Sequence, residues 1–344
     1  MLVKKKYDVM VFIGRFQPVH TAHEEIIKKA AELAETVVLI IGSAFQPRTY
    51  KNPFTEHDRI VMVDMVCREN NIRKNVCIDY ITDSIYNDQA WAIRVQKIVN
   101  GYYKSSNSKI GIIGHDKDDS SFYLSMFPQW ERVHVDLIES LHSTDIRDLY
   151  FRKDANMNFI KGVVPSSTFK FLEHFKDGEE YNQIIKEREF VEDYKKQYSW
   201  LPYPPVFVTT DAVVIQSGHV LMIKRKSEPG RGLWALPGGF LNANTDKSIV
   251  DCMIRELKEE TDIKVPVPVL IGSIEDKRVF DAIGRSARGR TITHAFKIVL
   301  SDKELPNVKG MDDAISATWI PIDELDSSEC YEDHYEIISY FVGA

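Results

Sequence analysis

Cysteine is scarce: the 344 residues include four, Cys67, Cys77, Cys252 and Cys330, with no CxxC pair and no zinc-type spacing among them. That excludes a zinc ribbon or a dithiol redox motif, and a chain of this length needs no disulfide staples, so a reducing, cytoplasmic setting is expected. An excess of positive charge is lacking as well. Lys and Arg number 44 against 51 Asp and Glu, a formal charge of -7, and no segment clusters basic residues. Without that footprint for a phosphate backbone, no nucleic-acid partner is expected. Long apolar runs are also missing. The opening MLVKKKYDVMVFIG has an apolar stretch too short for a secretory core, has no small-residue cleavage site and passes into a glycine turn. It reads as a first β-strand, and no membrane partner is expected.

What is present is the balance of a soluble globular chain, 44% hydrophobic and 28% charged. At about 150 residues per domain the length implies two domains, each able to bury a core. The first half alternates strand and helix: a strand at 7–14, a helix at 21–35, a strand at 36–42, a helix near 56–70, a strand near 76–81, a helix near 90–101, strands at 109–114 and near 132–137, and a helix at 143–151. Strand, helix and strand in so short a span form a βαβ unit, and its repetition predicts a Rossmann-like, doubly wound α/β domain with a parallel sheet. A charged helix at 179–200 and the prolines of LPYPP (201–205) then mark a boundary. Beyond it come strands at 206–215 and 219–226 around a Ser217-Gly218 turn, a helix at 248–261, more strands and a last helix near 332–341. This second domain is expected to be α+β, and the domains are placed at 1–178 and 206–344, with 179–205 as linker.

Chemistry-bearing residues sit at strand ends. Gly14-Arg15-Phe16-Gln17-Pro18-Val19-His20-Thr21-Ala22-His23 lies where the first strand turns into the first helix, at the positive end of a helix dipole, where phosphates bind. Two histidines three residues apart across a helix start project to one side and can both donate to a phosphate cluster. The plain alternative is that His20 caps the turn and His23 stays on the helix surface. This decapeptide is similar to the GxFxPxHxGH signature of the nucleotidyltransferase superfamily, and Ser143-Thr144-Asp145-Ile146-Arg147 to its second signature. The resemblance implies nucleotidyl transfer by direct attack on an α-phosphorus, with Gly14, Arg15, Phe16, His20, His23, Ser143, Thr144 and Arg147 on ATP, and His20, His23 and Arg147 stabilising the transition state. It also implies that Gly114 and Asp116, in Gly114-His115-Asp116-Lys117-Asp118, bind adenine and ribose. Ala22 departs from the signature's glycine.

Lys51-Asn52-Pro53-Phe54-Thr55, Asp83 and Trp91 resemble the nicotinamide mononucleotide (NMN) adenylyltransferases of the archaeal type. The resemblance implies that Lys51, Asn52, Asp83 and Trp91 hold NMN, the indole facing a pyridinium cation. For Trp91 the alternative is an ordinary core aromatic.

In the second half, Leu236-Pro237-Gly238-Gly239-Phe240 precedes Arg255-Glu256-Leu257-Lys258-Glu259-Glu260. On a helix, three carboxylates at i, i+3 and i+4 share a face and repel one another until a hard cation neutralises them, and Arg255 can pair with Glu259 one turn on. The pattern resembles the Nudix box, which implies Gly238, Gly239 and Arg255 as its loop residues, Glu256, Glu259 and Glu260 as metal ligands, Glu259 as catalytic, and Mg²⁺, with Mn²⁺ as an alternative, as cofactor. Two departures stand out. Two extra residues separate Gly239 from Arg255, leaving the box's first glutamate without a clear counterpart near Asp246 or Lys247, and Asp262 replaces the closing glycine. The run from Gly284 to Arg290 is expected to form a mobile loop whose Arg285, Arg288 and Arg290 either meet a diphosphate or stay solvated.

Taken whole, the chain resembles the bifunctional NMN adenylyltransferase/Nudix hydrolase family, which implies ATP, NMN and ADP-ribose as small-molecule substrates. Homo-oligomerisation is left open. Two other readings stay beside it: a nucleotide-sensing, non-catalytic Nudix domain, and a different acceptor in the first half, such as a flavin or pantetheine phosphate.

Overall fold

The computed structural model describes residues 5–103, 107–114, 119–135 and 142–343. They form two compact units that divide between Ile185 and Lys186. Among the described residues no helix is long and apolar enough to cross a membrane.

The first unit runs β1 (Tyr7–Gly14), α1 (Thr21–Leu33), β2 (Ala34–Ile41), α2 (Glu56–Glu69), β3 (Val76–Tyr80), α3 (Asp88–Asn100), β4 (Ile110–Gly114), β5 (Glu131–His134), α4 (Ser143–Tyr150), α5 (Met157–Val163) and α6 (Ser166–Lys176). Its sheet is parallel throughout, in the order β3-β2-β1-β4-β5. The strands are apolar on both faces because helices cover both. Met10 and Phe12 of β1, with Val37, Leu39 and Ile41 of β2, join one core with α1, α2 and α4. The alternate residues Val9, Val11, Ile13, Val38 and Ile40 join a second core with Val95 and Val99 of α3. This period-two division is what makes the sheet doubly wound. The sequence reading found no element in α5 and α6. Pro165 separates them, and the seven residues of α5 offer too few turns for a helical period to show.

Helix α7 (Glu179–Lys196) starts in the first unit, where Tyr181, Ile184 and Ile185 are buried in its core. The second unit continues with β6 (Val206–Gln216), β7 (His219–Arg225), β8 (Trp234–Ala235), β9 (Gly238–Phe240), α8 (Ile249–Thr261), α9 (Val267–Gly272), β10 (Ile274–Phe280), β11 (Arg290–Val299), β12 (Ala314–Pro321) and α10 (His334–Val342). The sheet order is β10-β11-β6-β7-β12, with β9 on β6 and β8 on β7. It is mixed: β6 and β11 run parallel, the other pairs antiparallel. Helix α8 is amphipathic. Met253, Ile254 and Leu257 pack on Ala212, Val214, Phe296 and Ile298, which leaves its acidic side toward β9. The Ser248 side chain caps its first turn. Asp262 closes its last turn in the left-handed region, at φ 47, so aspartate takes the conformation that usually selects glycine.

Glu187, on α7 within the second unit, is buried. Desolvation pushes its carboxyl up to about 8, with Glu228 and Glu332 adding to the rise and a hydrogen bond from the Gly230 backbone opposing it. The folded chain therefore keeps a proton that the unfolded chain loses near 4.5, and this residue makes stability fall as pH rises between those values. Glu187→Gln is expected to remove that slope and to raise the thermal midpoint of the second unit most at about pH 8. Parallel midpoint curves for the two chains from pH 5 to 8 would count against it.

Candidate functional site

Strands β1 and β4 end at Gly14 and Gly114, side by side where the strand order reverses. Doubly wound sheets leave their ligand crevice at that point. From Gly14 the chain turns through Phe16, which is buried at a positive φ of 52, to His20, the residue before α1. The structure brings His20 and His23 together, with rings stacked 3.8 Å between centroids. The His20 backbone N–H donates to Nδ1 of His23 at 3.3 Å, which leaves the proton of a neutral His23 ring on Nε2. The Phe16 ring lies 4.9 Å from that of His23. Ala22 is buried in the first turn of α1.

Three guanidinium groups surround this turn. Arg147, on α4, donates to the Gln17 carbonyl at 2.8 Å and to the Thr144 hydroxyl at 3.0 Å. Arg15 donates to the Lys51 carbonyl at 2.9 Å and to the Asn52 side-chain oxygen. Arg59, from α2, donates to the carbonyls of Thr55, Arg15, Gly42 and Ser43 at 2.5–3.1 Å. These hydrogen bonds all go to uncharged oxygens. Burial lowers Arg147 and Arg59 to about 10, and the charge of Arg15 adds to both shifts. Arg15 is itself lowered by burial, with Asp83 working the other way. Buried cations that disfavour one another's charge leave a deficit that a polyanion relieves.

Of the other first-unit candidates, Ser143, Lys51 and Asn52 are tied to this turn by hydrogen bonds, while Asp83, Trp91 and Gly114 have other partners. The Ser143 hydroxyl donates to the Pro18 carbonyl at 3.3 Å, which ties the start of α4 to the turn. Asp83 accepts from the Ser43 backbone N–H at 3.2 Å. Lys51 is exposed and Asn52 half-buried, and Thr55 caps α2 in a reciprocal pair with Asp58. Trp91 is half-buried beside Tyr123 and Phe127, at 6.0 and 6.2 Å. That is the packing of the core-aromatic alternative, with part of the indole still open to solvent. Gly114 is buried against Leu124. Asp116 lies outside the described residues, as do His115, Lys117 and Asp118.

Arg59 and Gln17 carry no role legible in the sequence, yet both hold the site. The buried Gln17 amide donates to the Phe54 carbonyl at 2.8 Å and accepts from its N–H at 3.0 Å, so it splices the β1 turn to the NPFT segment. Neither residue has a local signal, because apart from Thr55 the partners are backbone groups of distant segments. Arg59→Met is expected to destabilise the first unit by about 3 kcal/mol, since a buried acceptor stripped of its donor costs ~1–3 kcal/mol. Chemical denaturation of the two chains checks this, and unchanged stability would make the clamp incidental.

In the second unit β9 lies on β6, Gly238 opposite Asp211 and Gly239 opposite Thr210. A Cβ on Gly238 would stand 2.1 Å from the Thr210 carbonyl oxygen, and one on Gly239 2.5 Å from the Glu256 carboxyl carbon. The backbone approach at Gly238 admits only glycine, and a side chain at Gly239 would displace the Glu256 carboxylate. The Gly238 N–H donates to Oε2 of Glu260 at 2.9 Å. Burial pushes Glu260 up to about 8 against the pull of that bond, and Glu256 adds to the rise. Burial raises Glu256 as well. Glu259 is the outer member of the three, with its side chain 46% exposed.

Arg255 bonds Glu256 at 2.8 Å and Glu259 at 2.9 Å. It also forms a fork with the half-buried Asp246, at 2.8 and 2.9 Å, which holds Asp246 well below the usual carboxylate range. Despite the two extra residues, Asp246, near where the box's first glutamate falls, reaches Arg255. Among the described residues, no three His, Cys, Asp or Glu side chains are placed to hold an ion between them. The donor set still fits a hard divalent cation. All three candidates are carboxylates, and the two inner ones are held against β9 with their charge disfavoured, a penalty that a cation offsets.

The segment from Gly284 to Arg290 also differs from expectation. Arg285 neither faces a diphosphate nor stays solvated. It is buried in a two-pronged ion pair with Asp333, at 2.8 and 2.9 Å, and Ala287 N–H donates to Glu332, so the loop is anchored. Arg288 lies over the Phe240 ring at 4.7 Å, and Arg290 bonds the Asp281 carbonyl.

A parallel sheet carrying a histidine pair and arginines at its switch point, then a mixed sheet whose glycine loop meets a glutamate helix, define a nucleotidyltransferase domain followed by a Nudix domain. Residues 11–198 match the Cytidylyltransferase-like family and residues 206–341 the NUDIX domain. The chain is 37% identical over 180 residues to a nicotinamide/nicotinic acid mononucleotide adenylyltransferase of Acinetobacter baylyi, covering 52% of this chain and 92% of the relative. It is 31% identical over 166 residues to an ADP-ribose pyrophosphatase of Methanocaldococcus jannaschii, covering 48% and 86%. Both halves together are similar to the crystal structure of a bifunctional NMN adenylyltransferase/ADP-ribose pyrophosphatase of Francisella tularensis complexed with AMP and a manganese ion. The TM-score is 0.90 at 34% identity, over 98% of this chain and 99% of that one. The chain belongs to this bifunctional family.

Proposed function

We propose that the first unit transfers the adenylyl group of ATP to NMN and that the second hydrolyses ADP-ribose to AMP and ribose 5-phosphate. For the transferase the reading rests on three buried guanidinium groups, Arg15, Arg59 and Arg147, gathered beside the His20–His23 stack with uncharged partners. An oxygen of the NMN phosphate attacks the α-phosphorus of ATP, the bond to the bridging oxygen of the β-phosphate breaks, and pyrophosphate leaves with that electron pair. Charge grows on oxygens that His20, His23, Arg15 and Arg147 stabilise, while Ser143 and Thr144 hold the triphosphate at the start of α4. Gly14 and Gly114, at the strand ends, and Phe16 shape the ATP side, to which Asp116 is also assigned. Lys51, Asn52, Asp83 and Trp91 take the NMN side.

For the hydrolase, Glu256, Glu259 and Glu260 would hold a divalent cation, with Mg²⁺ proposed. When bound, that ion neutralises the diphosphate and acidifies water. Water oxygen attacks one phosphorus of ADP-ribose and gives up a proton to solvent, while the P–O–P bridge breaks and the other phosphate leaves with the bridging oxygen and its electron pair. Gly238 and Gly239 let β9 approach the carboxylates, and Arg255, fixed by Asp246, keeps Glu256 and Glu259 in register. Because this core of carboxylates, glycines and arginine is complete, turnover is favoured over a purely sensing domain.

The test is to supply ATP with NMN, and separately ADP-ribose, each with Mg²⁺, Mn²⁺ or chelator. NAD with pyrophosphate, and AMP with ribose 5-phosphate, are expected with either metal and not with chelator. Binding of ADP-ribose without AMP release would overturn the hydrolase reading. Adenylylation of a flavin or pantetheine phosphate in place of NMN would overturn the transferase reading.

A further inference from the structure

The residues that lead into α10 tie down both chain segments beside the glutamate helix. The Tyr331 N–H donates to the Trp234 carbonyl at 2.7 Å. Glu332 accepts from the Ala287 N–H at 2.9 Å. Asp333 takes the Arg285 fork, with both side chains under 5% exposed. His334 accepts, on Nδ1, the Leu236 N–H at 2.8 Å. Four consecutive residues thus hold the 234–238 segment on one side and the 285–287 segment on the other.

Each held segment leads to the reaction centre. Two residues past Leu236, the Gly238 N–H reaches Glu260. Three residues past Arg285, Arg288 covers Phe240, whose carbonyl accepts from Arg255 at 3.2 Å. The second nitrogen of His334, Nε2, lies 4.0 Å from Asp211, the residue paired with Gly238 across β6 and β9. Sequence separation hides all of this: Leu236 and His334 are 98 residues apart, Arg285 and Asp333 48.

We propose that His334 and Asp333 are positioning residues of the hydrolase centre: through Leu236 and Arg285 they set the Gly238–Phe240 strand against Glu256 and Glu260. This rests on the hydrolase reading above. His334 touches none of the three glutamates by a hydrogen bond of its own. It acts through the backbone that it orients.

The test compares wild type, His334→Leu, His334→Asn and Arg285→Lys in the full chain. Asparagine can present an oxygen near the place of Nδ1, whereas leucine offers no acceptor. Two readouts are taken: kcat and KM for ADP-ribose with Mg²⁺, and amide exchange at Leu236 and Gly238 in metal-free protein. His334→Leu is expected to lower kcat about 10- to 100-fold, as displacement of catalytic groups by about 1 Å does. KM and NAD synthesis should stay near wild type, and both amides should exchange faster. His334→Asn is expected to restore most of the kcat and the slow exchange.

Wild-type kcat and exchange in His334→Leu overturn the proposal, and so does an asparagine variant as impaired as the leucine one. If the leucine chain fails to fold, Arg285→Lys decides. This variant keeps the charge but loses the fork, and unchanged kcat with unchanged Gly238 exchange overturns the proposal. If the wild-type chain releases no AMP, the hydrolase reading fails, and the exchange data still decide whether His334 positions the strand.

Discussion

Replacing His20 with alanine is expected to lower NAD formation about 10²- to 10³-fold, the loss typical of removing one preorganised donor from a transition state. The argument is geometric. His20 is the residue from which α1 starts, is 3% exposed and stacks on His23, so its ring is held at the positive end of the helix before any substrate arrives. Donors fixed in advance need no reorganisation when charge develops, and that is the source of their effect. Arg147 and Arg15 would still bind the triphosphate, so KM for ATP should change less than kcat. The hydrolase activity of the same chain is an internal control for folding. Near-normal NAD synthesis in His20→Ala would remove the histidine from the mechanism. A parallel loss of both activities would point to a folding defect.

Glu259→Gln is expected to be the second large effect, a fall of at least about 10²-fold in ADP-ribose hydrolysis with NAD synthesis unchanged. Among the three glutamates it is the cleanest to substitute. Glu256 fills the space above Gly239 and Glu260 is buried on Gly238, so changes there disturb the packing of β9 on α8. Glu259 has only the surface bond to Arg255, an exposed pair worth about 0–1 kcal/mol, and Arg255 keeps Asp246 and Glu256. Loss of activity without loss of thermal stability would therefore report on metal binding or catalysis. Full activity in the glutamine variant would move the catalytic role to the two inner carboxylates.

Much of this was legible in the sequence because it is local. The βαβ alternation of the first half shows in runs of apolar residues, and the strands and helices fall within a few residues of their expected bounds. His20 and His23 are three apart, and Glu256, Glu259 and Glu260 stand one turn apart, so helical geometry alone brings each group to one side. What was not legible depends on partners far along the chain. Arg59 reads as one charge among several on a helix until the fold sets four carbonyls around its guanidinium. Arg285 reads as one of three loop arginines until Asp333 closes on it. Residue counting already pointed near Asp246, but not to its fork with Arg255, which depends on how the intervening loop folds back.

By itself the sequence determined which chemical groups the protein has and on which kinds of element they sit, since period and spacing act over one or two turns. The tertiary structure decided which of those groups lose water. It separated Glu260, buried with its charge disfavoured, from Glu259, left at the surface on the same helix. It gathered Arg15, Arg59 and Arg147 into one desolvated site. Desolvation comes from everything packed around a residue, most of it distant in the chain, and so no local pattern records it.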